Sequence, residues 1–260
     1  MTNSEIDLGL EALENRVAEL VTEATPNIKE EDESTSTGAA LFGQIVDGHV
    51  ELRDNQPSRK DRESAAAKGN PYCRFLLTHQ FREDKGDHVV IVGANPSIAR
   101  SFTGSQSKTA EYPQSDPTAH KIFEWVDDHI YDKASTNIQR LSIINIFPLI
   151  HSKQKNAVEL LTNVGSSLVK GINTSIFNGL RNFSGGDTHF VLAHGELDEL
   201  EFYLRSILTA HMIDRIFEAA TDPEETVWKC DVGKATGYPP HPLYHYEDRR
   251  VIGLLPYPCM

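Results

Sequence analysis

The chain has 260 residues, 39% hydrophobic and 24% charged, with a formal net charge of −13; that is enough apolar material for a sizeable core and excludes a wholly disordered chain. No apolar run approaches the ~20 residues that cross a bilayer, and the N-terminus lacks a basic stretch followed by an apolar one, so the chain reads as cytoplasmic, with no membrane span and no secretion signal. Cys73, Cys230 and Cys259 form no close pair and the eleven histidines no ligand-spaced cluster, so no disulfide framework, no metal and no cofactor is expected. The acidity is uneven. Residues 1–65 hold 15 acidic and 6 basic residues, a net of −9, and the remaining 23 acidic and 19 basic leave residues 66–260 at −4. Tight nonspecific wrapping of a duplex needs Lys and Arg to displace counterions. The mildly acidic remainder instead suits a small molecule or a locally contacted nucleic acid.

Residues 4–24 place Ile6, Leu10, Leu13, Val17 and Leu20 at steps of four and three, which predicts an amphipathic helix, taken as residues 1–25. Its apolar seam covers barely two heptads, so it serves either docking on the chain's own core or self-association and a protein partner. Residues 26–70 read as an acidic and polar linker, with PNIKEEDESTSTGAA at its start and a charged, small-residue stretch over 54–70. Within it, alternation around Asp47-Gly48 predicts a hairpin at 41–52.

From residue 71 to 260 the pattern is that of one α/β domain. HVVIVGANP (88–96), LSIINIFPL (141–149), THFVLAHG (188–195), ETVWKCDV (225–232) and VIGLL (251–255) read as buried strands, with helices at 116–131, 156–180 and 196–220 between them. Apolar strands alternating with helices predict a three-layer α/β/α sandwich with a mostly parallel central sheet. Ligands bind outside the carboxyl ends of such strands, here after Val92, Ile144, Leu192 and Val232.

Four segments carry candidate chemistry. In GANPS, Gly93 permits close backbone approach, Pro96 stiffens the turn, Ser97 follows, and Asn95 holds an amide at the strand mouth that orients a water or a base edge, or closes an Asx-turn. In SDPT, Asp116 and Pro117 have the form of a helix cap, and the alternative is a carboxylate that holds a water. In INIFPL, Asn145 interrupts an apolar strand and pairs with a loop backbone or with a ligand. TGYPPHPLYHY, residues 236–246, is a rigid loop that sets His241 between prolines, with Tyr244 among its stacking residues. Arg74 in YCRF and His194 in HGEL are weaker anion and ligand candidates.

In this order, Arg74, GANPS, SDPT, INIFPL, the strand ending in Gly195 and TGYPPHPLY resemble domain-of-unknown-function family 1643 over about residues 70–250. His194 stands where that family tends to carry Trp. A more distant likeness is to the uracil-DNA glycosylase superfamily, carried by Gly93, Asn95 and Pro96, by Asn145 with Pro148 and Leu149, and by His241 with Pro242; Leu243 and Ser97 depart from its pattern. That likeness implies the glycosylase fold and a pocket for a nucleobase, a nucleotide or a flipped or single-stranded DNA base. The mechanism it implies is N-glycosidic hydrolysis. Asn95 positions a water with Asp116 assisting, Asn145 reads the base edge, and His241 donates to the departing base. Phe102 and Tyr244 are then stacking or wedge residues. The other expectation is a non-catalytic module on the same fold that binds a nucleotide, a nucleic acid or a protein.

Overall fold

The computed structural model describes residues 3–22, 38–81, 85–96, 99–102, 115–126, 138–150, 160–195, 202–220, 226–231 and 253–256. Among them the elements run α1 (Asn3–Thr22), β1 (Gly38–Val46), β2 (His49–Arg53), α2 (Arg59–Ala67), β3 (Tyr72–Gln80), β4 (Asp87–Gly93), α3 (Pro117–Trp125), β5 (Ile138–Asn145), α4 (Ser166–Leu180), β6 (Thr188–Leu192), α5 (Phe202–Ala219), β7 (Val227–Asp231) and β8 (Gly253–Pro256). The strands form one eight-stranded sheet in the order β2-β1-β3-β5-β4-β6-β7-β8. No helix among the described residues is long and apolar enough to cross a membrane.

The fold is α/β, but its sheet is mixed rather than mostly parallel. β5, β4, β6 and β7 pair in parallel; β2, β1, β3 and β5 pair antiparallel, as do β7 and β8. The antiparallel half is built from segments whose sequence lacks a strand signal or resembles a linker. The hairpin does form at Asp47-Gly48, whose φ angles of 49° and 80° are those a two-residue turn needs. It does not stand in a linker, because β1 pairs along β3 and makes the hairpin part of the sheet. β3 itself interrupts its apolar run with Arg74, Thr78, His79 and Gln80, all buried.

Residues 54–70 are likewise not all linker. Ser58 Oγ accepts from the Asp61 N–H at 3.1 Å and Asp61 Oδ2 accepts from the Ser58 N–H at 3.3 Å. This reciprocal box satisfies two N–H groups at the start of α2.

Alternation along the strands loads both faces. Val90 and Val92 of β4 and Ile144 of β5 pack with Leu13 and Val17 of α1, Ile172 and Ile176 of α4 and Met212 of α5. On the opposite face Val89 and Ile91 of β4 and Leu141 and Ile143 of β5 pack with Ala119, Ile122 and Trp125 of α3. Helices thus cover both sides, as the sandwich expectation requires.

The seam of α1 is spent on this core. Leu13, Val17 and Val21 are buried, and glycines of α4 let the helices approach closely: a Cβ on Gly179 would stand 2.6 Å from Val17 Cβ, and one on Gly171 3.0 Å from Leu10 Cδ1. Of the two uses expected for the seam, docking is the one observed. Gly9 of α1 meets the sheet edge, where a Cβ would stand 2.7 Å from the Val50 carbonyl oxygen. Because Val46↔His49 flank the two-residue turn, the Ile45↔Val50 pair leaves the Val50 backbone facing away from β1. α1 therefore shields polar backbone that an edge strand otherwise offers to another chain.

Candidate functional site

The helix that follows β4, α3, packs on one face of the sheet, whereas α4 and α5, which follow its two parallel neighbours β5 and β6, pack on the other. Such a reversal marks the switch point at which ligands bind in sheets of this kind, at the carboxyl ends of the strands. Gly93 and Asn145 stand there as Cα partners, the last residues of β4 and β5.

Asn145 is 4% exposed, and the alternation that sends Leu141 and Ile143 to the α3 face sends Asn145 there too. Its Oδ1 occupies the space a side chain at 93 would need, 2.7 Å from an ideal Cβ on Gly93. Gly93 is thus required by the amide beside it. The Nδ2 group of Asn145 is buried with no hydrogen-bond partner among the described residues. A buried donor left unpaired costs about 1–3 kcal/mol. Backbone bonds hold the residue in place: the Ile146 N–H donates to the Gly93 carbonyl at 3.0 Å and the Phe147 N–H to the Ala94 carbonyl at 2.9 Å.

Asn95 is half-buried two residues beyond β4, and Pro96 is buried after it. On the other side of β4, the Ala193 N–H donates to the Val92 carbonyl at 2.9 Å, which extends the pairing past β6 and brings His194 to the same end of the sheet. His194 is buried, and its Nδ1 lies 2.7 Å from the Gly195 carbonyl oxygen. A carbonyl only accepts, so Nδ1 carries the proton.

Arg74 is buried on the α3 face, where its Nη1 donates to the Ala99 carbonyl at 3.1 Å. Burial lowers its pKa to about 10, a fall opposed by the charge of Asp116. Asp116 caps α3, its Oδ1 accepting from the N–H groups of Thr118 at 2.7 Å and Ala119 at 2.9 Å. The capping expectation is what is observed, and the carboxylate oxygen that meets the helix start is occupied by backbone. Phe102 is fully buried in the core against His79 and Phe123, at ring separations of 6.1 and 6.3 Å. Its ring is part of the core packing on the α3 face.

The structure therefore brings Gly93, Asn95, Asn145 and His194 to one end of three adjacent strands, with Arg74 and Asp116 on the α3 side. Ser97, His241 and Tyr244, with the whole 236–246 loop, lie outside the described residues. Among the described residues no group of three or more His, Cys, Asp or Glu side chains is placed to hold a metal ion.

Two features went unread in the sequence. Ser115 Oγ donates to the Phe102 carbonyl at 2.6 Å, joining the chain before α3 to the chain after β4. Asn173 lies buried in α4, with its Nδ2 donating to the Ile146 carbonyl at 3.1 Å. The signal for Asn173 was available, since an amide in the stripe Val169, Ile172, Ile176, Leu180 is polar where the helix is otherwise apolar.

Comparison with protein-family models, with curated proteins and with solved structures gave no match.

Proposed function

We propose that the crevice at the carboxyl ends of β4, β5 and β6 is a nucleobase-directed pocket of the uracil-DNA glycosylase type, on a chain of domain-of-unknown-function family 1643. The observation that carries this reading is the unspent Nδ2 donor of Asn145, buried and wedged by its Oδ1 against Gly93. A planar amide with a buried, free donor suits an acceptor on a flat, mostly apolar ligand, and a ligand that supplies that acceptor recovers the cost of the buried N–H. Arg74 and Asp116 face each other as opposite charges, which leaves this side of the pocket without a surplus charge and favours the base over the phosphate as the recognised part.

In the hydrolytic form of this reading Asn95 positions the water and His241 donates to the leaving base, a role whose loss lowers the rate by about 10²- to 10³-fold. One observation favours a second form, binding without cleavage. The Asp116 oxygen that would assist the water is held by two backbone N–H groups, and an amide such as Asn95 cannot take a proton from water.

Calorimetric titration of the full chain with free nucleobases, nucleotides and short single strands tests the pocket. Saturable heat is expected, with affinity lowered about tenfold by Asn145→Ala; no heat from any of these ligands would refute nucleobase recognition. Oligonucleotides containing uracil or modified pyrimidines, scored for alkali-labile sites, separate the two forms. Cleavage lost in His241→Ala supports hydrolysis, and binding without cleavage supports the second form.

A further inference from the structure

We infer that the outer edge of β2 is a pairing surface for a second copy of this chain, held closed by α1 at Gly9, an inference independent of the pocket proposed above. The register fixes which groups lie on that edge. Val46 and His49 flank the two-residue turn, so the Ile45↔Val50 pair, and the Gly43↔Leu52 pair two residues on, turn their N–H and C=O groups away from each other. The Ile45 N–H shows this alternation by donating to the Pro71 carbonyl at 2.9 Å, on the β3 side of β1. Val50 and Leu52 therefore carry two donors and two acceptors that β1 does not use, which is what antiparallel strand addition requires.

The side chains make this edge self-complementary. Val50 and Leu52 pack on the core that α1 covers, while Glu51 and Arg53 are exposed and ion-paired at 2.5 Å. Two β2 strands laid antiparallel about Leu52 exchange its N–H and C=O reciprocally. That register sets Glu51 of each copy opposite Arg53 of the other, two opposite-charge pairs across one two-fold axis. What keeps a second copy away is α1. A Cβ on Gly9 would stand 2.7 Å from the Val50 carbonyl oxygen and 3.4 Å from the Val50 nitrogen, and backbone held in a hairpin does not yield as a flexible side chain does. Glycine alone lets the helix lie on the edge. It is the poorest helix former after proline, so the helix itself does not call for it at this position; closing the edge does. The far end of α1 is anchored separately, Arg140 Nη1 donating to the Leu20 carbonyl at 2.7 Å, so lifting the first turns opens the edge without undocking the rest.

Sedimentation of the full chain over a wide range of concentration tests this, with the parent expected to stay monomeric. Gly9→Val should form a concentration-dependent dimer, and so should Gly9→Ala, which strengthens the helix while still setting a Cβ against Val50. Circular dichroism shows that each variant is folded. Adding Leu52→Pro to either removes the donor of the central pair at a position where an edge strand tolerates proline, and the monomer should return. Adding Arg53→Glu instead sets like charges opposite each other twice and should weaken the dimer about tenfold at low salt; the further change Glu51→Arg should restore it. Folded Gly9→Ala protein that remains monomeric throughout, a dimer that persists with Leu52→Pro, or a parent that already pairs would each overturn the inference.

Discussion

The parallel strands carry buried polar side chains at both ends, and the two ends use them differently. At the amino end His88 Nε2 lies 2.8 Å from Ser142 Oγ, Ser142 Oγ donates to Thr78 Oγ1 at 2.9 Å, and Thr78 Oγ1 donates to the Leu141 carbonyl at 3.3 Å. Beside this chain Arg140 donates to the Leu20 carbonyl of α1 at 2.7 Å and to Gln80 Oε1 at 3.3 Å. These bonds run from strand to strand and from the sheet to α1, where the guanidinium meets carbonyls that the end of a helix leaves unsatisfied. At the carboxyl end Asn173 Nδ2 donates to the Ile146 carbonyl, while Asn173 Oδ1 and Asn145 Nδ2 are buried and unpartnered among the described residues. Linked polar groups tie elements together at the amino end, although His88 Nδ1 is also buried with no partner among the described residues; in the proposed pocket the Asn145 donor at the carboxyl end is the one left for a ligand.

Breaking the anchored end should have the largest effect. Val17→Asp sets a charge into the closest contact of α1 with α4, and an uncompensated buried charge costs roughly 3–5 kcal/mol. A large fall in the urea midpoint is expected, together with early proteolysis near α1; an unchanged midpoint would separate α1 from the core.

Acid should attack the same end. Burial lowers the pKa of His88 to about 3, with Arg140 and His189 adding to the fall, and burial followed by Arg140 lowers that of His79 to about 4. Both are held neutral, so the unfolded chain binds more protons below the ordinary value of 6.5. The stability they contribute is fully present above pH 6.5 and declines as pH falls toward 4 and 3, by about 2 kcal/mol per histidine between pH 6.5 and 5. Urea titrations at several pH values check this. His88→Gln should flatten the slope, and a stability independent of pH over this range would contradict the burial of both rings.

Changes at the carboxyl end should spare the fold and affect the ligand. Gly93→Ala drives a methyl group against Asn145 Oδ1, with an expected cost of about 1–2 kcal/mol in stability and about a tenfold loss in nucleobase affinity. An equal loss in both would make the contact ordinary packing. Asp116→Ala should lower the stability read from the urea midpoint by about 1 kcal/mol from the lost helix cap, and further because it removes the charge that opposes the burial of Arg74.

How far this division can be read in the sequence follows from its chemistry. The strands of the parallel half, the hairpin at Asp47-Gly48, the cap at Asp116 and the polar interruption at Asn145 all declare themselves through local patterns. β3 does not, because the bonds that satisfy Thr78 and Gln80 come from β5 residues 64 and 60 positions away. The antiparallel half was hidden for the same reason, as the hairpin's place in the sheet depends on a strand whose polar residues resemble a surface. α2 was hidden by its composition, its reciprocal cap being made by an Asp where Glu or Gln is the usual signal. The burial of Phe102 was not legible either, because the sequence gives no indication which aromatic rings the core takes.

The most direct test of a carboxyl end held for a ligand is to follow the Asn145 side-chain amide while nucleobases are titrated into the full chain. The account predicts a saturable displacement of the Nδ2 signals by at least one base, with the amide of Asn182, exposed and bonded to the Asn178 carbonyl, unmoved. Asn145 signals that stay fixed at every concentration, while the protein remains folded, would contradict it.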